Sequence, residues 1–268
     1  LSLKSLLPSL RRRTRTRMAK VIEAPPQVGT AKAPVNAVIV SDIHAPFHSE
    51  EWLARALAFA GAAGPEPVVI LAGDTCDCNS LASHTPHVDP PTLESELDSA
   101  QAIIRQFARF YKKVYITLGN HEFRATRALR NLTPKLFMKM LVSGLPDNII
   151  ASPRWFSWLN GNWFVTHPQR YSKIPGKTPL GIALEMTAKE GRAINVVSGH
   201  EHHRAAVTAG RLVGICNPCL QDPDITPYIT AHDLSNGFHR WQLGFTHIRA
   251  DGSFRVYGAE DVGELDKQ

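Results

Sequence analysis

Five short apolar runs in this chain each end on an aspartate, asparagine or histidine, and no other feature restricts the fold as much. The clearest is Val114-Tyr115-Ile116-Thr117-Leu118, closed by Gly119-Asn120-His121-Glu122. A run of this length stopping at glycine reads as a buried strand that hands polar residues to a loop at its C-terminal edge. Open α/β sheets place ligands at that edge, so Asn120 and His121 are expected to serve chemistry rather than packing. Val35 to Val40 likewise ends in Ser41-Asp42-Ile43-His44, and Pro67 to Leu71 ends in Ala72-Gly73-Asp74. Further on, one strand closes at Thr166-His167, and Ile194 to Val197 leads into Ser198-Gly199-His200-Glu201-His202.

Between these runs the apolar period changes to that of helices. Glu50 to Ala63 can bring Trp52, Ala56, Phe59 and Ala60 to one face. Residues 93–112 align Leu97, Ile104, Phe107 and Tyr111, with Glu94 and Glu96 favourably placed in the first turn. Shorter helices are expected over Phe123 to Leu132, after Pro134, and over 180–190. Residues 148–167 read as two strands turning at Asn160-Gly161. The C-terminal part alternates like antiparallel strands, with turns at Ala209-Gly210 and Asp251-Gly252. A chain of 268 residues can bury a substantial core. The folded domain is expected over 35–268, preceded by a disordered segment, 1–34, made of a basic arm and a proline- and alanine-rich linker.

The formal charge of +6 is concentrated at the N-terminus. Residues 1–17 hold Lys4, Arg11, Arg12, Arg13, Arg15 and Arg17 with no acid, and the remainder balances 24 basic against 24 acidic residues. Such a block can bind nucleic acid or a membrane surface. Because Met18-Ala19-Lys20 looks like a natural start, residues 1–17 are expected to take no part in the chemistry. No apolar stretch approaches the roughly 18–20 residues that cross a bilayer, and the block lacks the apolar centre of a secretory signal. A cytoplasmic protein without transmembrane contact is therefore expected. Cys76-x-Cys78 and Cys216-x-x-Cys219 read as reduced thiols near the core, with a structural zinc as the alternative.

The strand-end residues Asp42, His44, Asp74, Asn120, His121, His167, His200 and His202 all offer oxygen or imidazole donors. That set suits Mn²⁺, Zn²⁺ or iron rather than a thiolate-bound ion. Alternate residues on an extended strand point the same way, so His200 and His202 can each serve one of two cations. The neutral Asn120 carbonyl limits negative charge where an anion has to enter. Taken together, Asp42-x-His44, Gly73-Asp74, Gly119-Asn120-His121-Glu122, His167 and Gly199-His200-x-His202 resemble the motif set of the calcineurin-like metallophosphoesterase superfamily. The resemblance implies an α/β fold, a four-layer αββα sandwich of two mixed β-sheets flanked by helices. It implies that Asp42, His44 and His202 hold one metal, that Asn120, His167 and His200 hold a second, and that Asp74 bridges them. His121 would be the catalytic imidazole. The implied cofactors are two divalent ions, Mn²⁺ first, with Zn²⁺, Fe or Ni²⁺ as alternatives.

Two departures narrow the resemblance. Pro168 follows His167 where many members have glycine. Gly73-Asp74-Thr75-Cys76-Asp77-Cys78-Asn79 keeps Asp77 but lacks the arginine and glycine of the protein phosphatases' Gly-Asp-x-x-Asp-Arg-Gly, which argues against that substrate class. Asp77 and Glu122 are expected to orient ligand histidines.

Two cations in such a site lower the pKa of a bound water and clamp the phosphoryl oxygens. His121, with an ordinary pKa near 6.5, can protonate the leaving group or stabilise charge on the equatorial oxygens. Arg124, one helical turn on, is expected to reach the phosphate, and Arg170, Tyr171 and Lys173 in the loop after His167 are expected to line the pocket. The expected activity is phosphodiester hydrolysis on DNA, RNA or nucleotides. Phosphomonoester hydrolysis is the alternative, and a non-catalytic scaffold is disfavoured by the complete ligand set. Deleting residues 1–17 should leave turnover of small esters intact, because every expected ligand lies beyond Ser41. A sharp loss of DNA or RNA affinity at constant small-ester turnover would instead give the arm a function.

Overall fold

The computed structural model describes residues 18–82, 91–226 and 241–267. The basic arm of 1–17 and the loop carrying His84 and His87 lie outside them. Branched residues, which suit a pleated surface, dominate three adjacent parallel strands: β3 (Ala37–Val40), β4 (Val68–Ala72) and β5 (Lys113–Thr117). Val40 pairs with Leu71 and Leu71 with Ile116, so the three C-terminal ends emerge at one edge. β6 (Ile149–Ala151) and β1 (Lys20–Val21) extend this sheet beyond β5. The antiparallel pair β12 (Phe245–Ile248) and β13 (Phe254–Tyr257) closes its other side. The order is β1-β6-β5-β4-β3-β12-β13.

A second sheet is built from β2 (Gln27–Val28), β7 (Phe156–Leu159), β8 (Trp163–Thr166), β9 (Asn195–Ser198), β10 (Ala205–Ala209) and β11 (Leu212–Cys216). Its order is β10-β11-β9-β8-β7-β2, with β8 and β9 parallel and Thr166 opposite Ser198. The turn between β7 and β8 is the expected Asn160-Gly161. Both residues take positive φ, 52° and 81°, as a type I′ hairpin requires.

Period-two alternation then sorts the side chains into layers. Ala37, Ile39, Val68, Ile70 and Tyr115 pack against Trp163, Val165, Val197 and Ile215 between the two sheets. The alternate residues Val38, Val40, Val69, Leu71, Val114 and Ile116 face the other way. They meet apolar stripes of α1 (Glu50–Ala58), α2 (Leu93–Phe110) and α4 (Pro134–Leu141). On the far side, Phe164, Val196 and Leu212 pack against Ala183 of α5 (Lys177–Glu190). The result is helix, sheet, sheet, helix, the expected four layers of an α/β sandwich.

Three local expectations differ from what is observed. Residues 20–21 and 27–28 fall in the 1–34 segment expected as arm and linker, yet they form the outermost strands β1 and β2. A two-residue strand leaves no periodicity in a proline-rich sequence, and the partner strands supply the hydrogen bonds that hold it. Residues 148–167 hold three strands, because Ser152 to Trp155 carry the chain from the first sheet to the second. The helix expected from Phe123 starts earlier, as α3 (Asn120–Ala128), since the Glu122 carboxylate accepts from the Gly119 N–H at 2.8 Å and closes its first turn.

Close approach of α5 to β11 rests on Gly214. A Cβ there would lie 2.6 Å from the Leu180 backbone nitrogen, whereas at Gly181, on the exposed side of the same helix, it would meet nothing within 4 Å. Gly214→Ala should therefore destabilise by about 1–3 kcal/mol through overpacking. Gly181→Ala should stabilise by up to about 1 kcal/mol through helix propensity. Denaturant midpoints of the two variants check the opposite signs.

Candidate metal centre and pocket

Asp42 and His44 follow β3, Asp74 follows β4, and Asn120 and His121 open α3 just past β5. From the second sheet, His167 follows β8, and His200 and His202 follow β9. Parallel pairing within each sheet brings these ends to one edge, where the two sheets face each other. Five of these residues leave their strands in the left-handed region: Asp42, His44, Asp74, His200 and His202 have φ between 50° and 79°. A non-glycine residue held there costs about 1–3 kcal/mol. Such strain concentrated on one constellation is the signature of a site whose side-chain directions matter.

The ligand atoms fall into three close groups: Asp42, His44 and His202; His44, Asp74 and His121; Asp74, His167 and His200. Asp42 Oδ1 is 3.1 Å from His202 Nε2, and Asp74 Oδ2 is 3.1 Å from His167 Nε2 and 3.7 Å from His44 Nε2. Asn120 Oδ1 adds a neutral oxygen 2.9 Å from His167 Nε2. His44 Nε2 and Asp74 Oδ2 are buried without a hydrogen-bond partner. A buried polar atom without a partner is costly, and a cation among these nitrogen and oxygen donors satisfies both. The donor set fits divalent metal ions on that ground.

Oxygen acceptors behind the rings fix which nitrogen faces inward. His44 Nδ1 donates to the Asp77 carboxylate at 2.7 Å, His167 Nδ1 to the Ala72 carbonyl at 3.0 Å, and His121 Nδ1 to the Asp77 carbonyl at 2.8 Å. Each ring thereby presents Nε2 to the site. Asp77 orients histidines as expected. Glu122 does not: its carboxylate accepts the backbone N–H groups of Asp74, Thr75, Cys76 and Gly119. It holds the loop that carries Asp74 rather than a histidine ring.

The charges are strongly coupled to this arrangement. For His167 and His202, burial alone would lower the pKa, but the facing carboxylates outweigh it and push each up to about 10. Burial resists ionisation of Asp42 and Asp74 as well, and the adjacent imidazoles still hold both well below the usual carboxylate range. Burial and the neighbouring His167 bring His200 down to about 4. In His121, burial is outweighed by Asp74 and Asp77, so the ring titrates above its ordinary value, with Arg124 pulling the other way.

A pocket of about 160 Å³ opens above these groups, with His44, Asp74, His121, His200 and His202 at its base and Tyr171, Glu201 and Trp241 beside them. Tyr171 is among the lining residues. Arg124 lies next to it, Nη2 3.3 Å from His121 Nε2 and Nη1 3.4 Å from the carbonyls of Asp77 and Cys78. Arg170 and Lys173 are exposed and are not among the lining residues. Sequence reasoning missed Trp241, which stands beyond the last motif and carries no spacing signal. All four cysteines are buried and free. Among the described residues, none joins a group able to hold an ion.

The family model described as calcineurin-like phosphoesterase matches residues 35–235. Among solved structures, an archaeal phosphodiesterase is 15% identical over 84% of this chain and 100% of its own, with a TM-score of 0.45. Vacuolar protein sorting 29 from Cryptosporidium parvum is 12% identical over 84% of this chain and 96% of its own, with a TM-score of 0.41. No curated protein matches at a significant level. With the family match running over most of its length, the chain belongs to the calcineurin-like phosphoesterases.

Proposed function

We propose that this protein is a dinuclear metal-dependent phosphodiesterase acting on nucleic acid or nucleotide substrates. The carrying observation is the set of three donor groups with unpartnered buried atoms at the base of one pocket. Asp42, His44 and His202 would hold one ion and Asn120, His167 and His200 the other, with Asp74 a donor to both. Mn²⁺ is the ion we favour, with Zn²⁺, Fe or Ni²⁺ as alternatives, since every donor is oxygen or imidazole. Bound there, such ions supply an activated water and neutralise charge on the phosphoryl oxygens.

The remaining work belongs to the side chains. Asp77 fixes the His121 ring through its backbone carbonyl, leaving Nε2 toward the pocket. A guanidinium can only donate, so in the free site Arg124 meets the lone pair of Nε2. A phosphoryl group gives Arg124 anionic oxygens to donate to instead, and Nε2 is then free to take up a proton from water and pass it to the leaving oxygen. Among the described residues no lysine or arginine lines this pocket, Arg124 standing beside it, and the Glu201 carboxylate does line it, so a singly charged diester suits it better than a doubly charged monoester. Hydrolysis of bis(p-nitrophenyl) phosphate should therefore exceed that of p-nitrophenyl phosphate by about tenfold or more in kcat/KM with Mn²⁺ present. The reverse preference would make the protein a phosphomonoesterase.

Elemental analysis after loading should find about two ions per chain, and Asp74→Ala should lose both, because it serves each. A single ion, or ions retained in Asp74→Ala, would remove the dinuclear assignment.

His121→Ala should keep the metals and the fold while lowering turnover by about 10²–10⁴-fold for esters with poor leaving groups such as alkoxides. A p-nitrophenolate leaving group needs little help from a proton, so its ester should suffer least. Equal losses on both ester types would assign His121 to the equatorial oxygens instead, and loss of an ion with the imidazole would make it a ligand.

A further inference from the structure

The pocket has a polar base and an aromatic rim. Tyr171 and Trp241 both line it, on the side of the two histidines that follow β9. The Trp241 ring centre is 4.1 Å from that of His202 and the Tyr171 ring centre 4.8 Å from that of His200, both in edge-type contact. Tyr171 is nevertheless 50% exposed. A volume of about 160 Å³ receives a phosphoryl group and little more. A substituent on the phosphorus that extends past His200 and His202 meets this rim.

The rim's chemistry says what that substituent is. An alkyl group gains only modest contact against ring edges and faces, whereas a planar heteroaromatic ring can lay its own π-face on them. Stacking of a base on an aromatic side chain is substantial and tolerant of which base is present. Among the described residues, no lysine or arginine lines the pocket beside these rings to select a second anionic group instead. Resting on the phosphodiesterase reading above, we infer that Tyr171 and Trp241 form a stacking rim that selects phosphodiesters bearing a nucleobase close to the reacting phosphorus.

Two esters with the same leaving group isolate this effect: thymidine 5′-(p-nitrophenyl phosphate) and ethyl p-nitrophenyl phosphate. The wild-type protein should favour the nucleoside ester by about 10- to 100-fold in kcat/KM, mostly through KM. Tyr171→Ala and Trp241→Ala should each reduce that ratio several-fold, and the double variant should bring it close to parity. Tyr171→Phe and Trp241→Phe should retain it. Rings that merely hold His200 and His202 in place would instead lower kcat on both esters alike and leave the ratio unchanged. A wild-type ratio near one, or a ratio that survives in the double variant, overturns the inference. Turnover of neither ester by the metal-loaded protein overturns the phosphodiesterase reading. In that event calorimetry with thymidine 5′-monophosphate against ethyl phosphate decides the rim: equal affinities in wild type, or a preference kept by the double variant, also overturn it.

Discussion

Two carboxylates, Asp42 and Asp74, sit fully buried where the sheets meet, and much of the local structure answers to that fact. Ionised groups removed from water need compensation close at hand. Here it comes from imidazoles: His202 and His167 stand 3.1 Å from the two carboxylates, and both are pushed toward the protonated form. Backbone donors add to this, since the His200 N–H reaches Asp42 and the His121 N–H reaches Asp74. Protons on these rings and a metal ion compete for the same lone pairs. A centre built this way holds its shape because every alternative leaves a charge without a partner.

The rigid part of the molecule exists to hold those groups at fixed separation. Parallel strands β3, β4 and β5 space three chain ends a strand apart, and β8 and β9 do the same from the facing sheet. The apolar layer between the sheets sets the distance across. Left-handed backbone at five strand-end residues then turns side chains inward that an extended continuation would send to alternate faces. The strain is tolerated because the strands below are almost completely buried and held on both sides.

The strands were legible because buried parallel strands are continuous apolar runs, and their polar ends stood out against them. The donor residues were legible for the same reason, since each sits one to five positions beyond such a run. What the sequence concealed was longer-range. β1 and β2 have no pattern of their own and exist only as additions to β6 and β7. That Arg170 and Lys173 stay out of the pocket lining depends on a loop conformation that composition does not encode. Trp241 reaches the pocket from a part of the chain with no motif. Glu122 was recognised as a supporting residue but matched to the wrong partner, because a carboxylate near histidines suggests imidazole before it suggests backbone.

That carboxylate also explains why the central motif needs its glycine. Glu122 gathers the N–H groups of Asp74, Thr75 and Cys76 together with that of Gly119, and so ties the loop after β4 to the loop after β5. Drawing two loops onto one side chain brings their backbones into contact, and a Cβ on Gly119 would overlap Asp74 itself. At Gly73 the conformation demands glycine as well, with φ of 82° and the His167 ring where a side chain would begin. Burial of Glu122 and the nearby Asp74 charge push its pKa up to about 7, so the tie is itself sensitive to what neutralises Asp74. The glycines, the glutamate and the bridging aspartate of these motifs therefore form one mechanical unit: each is required by the closeness the others impose.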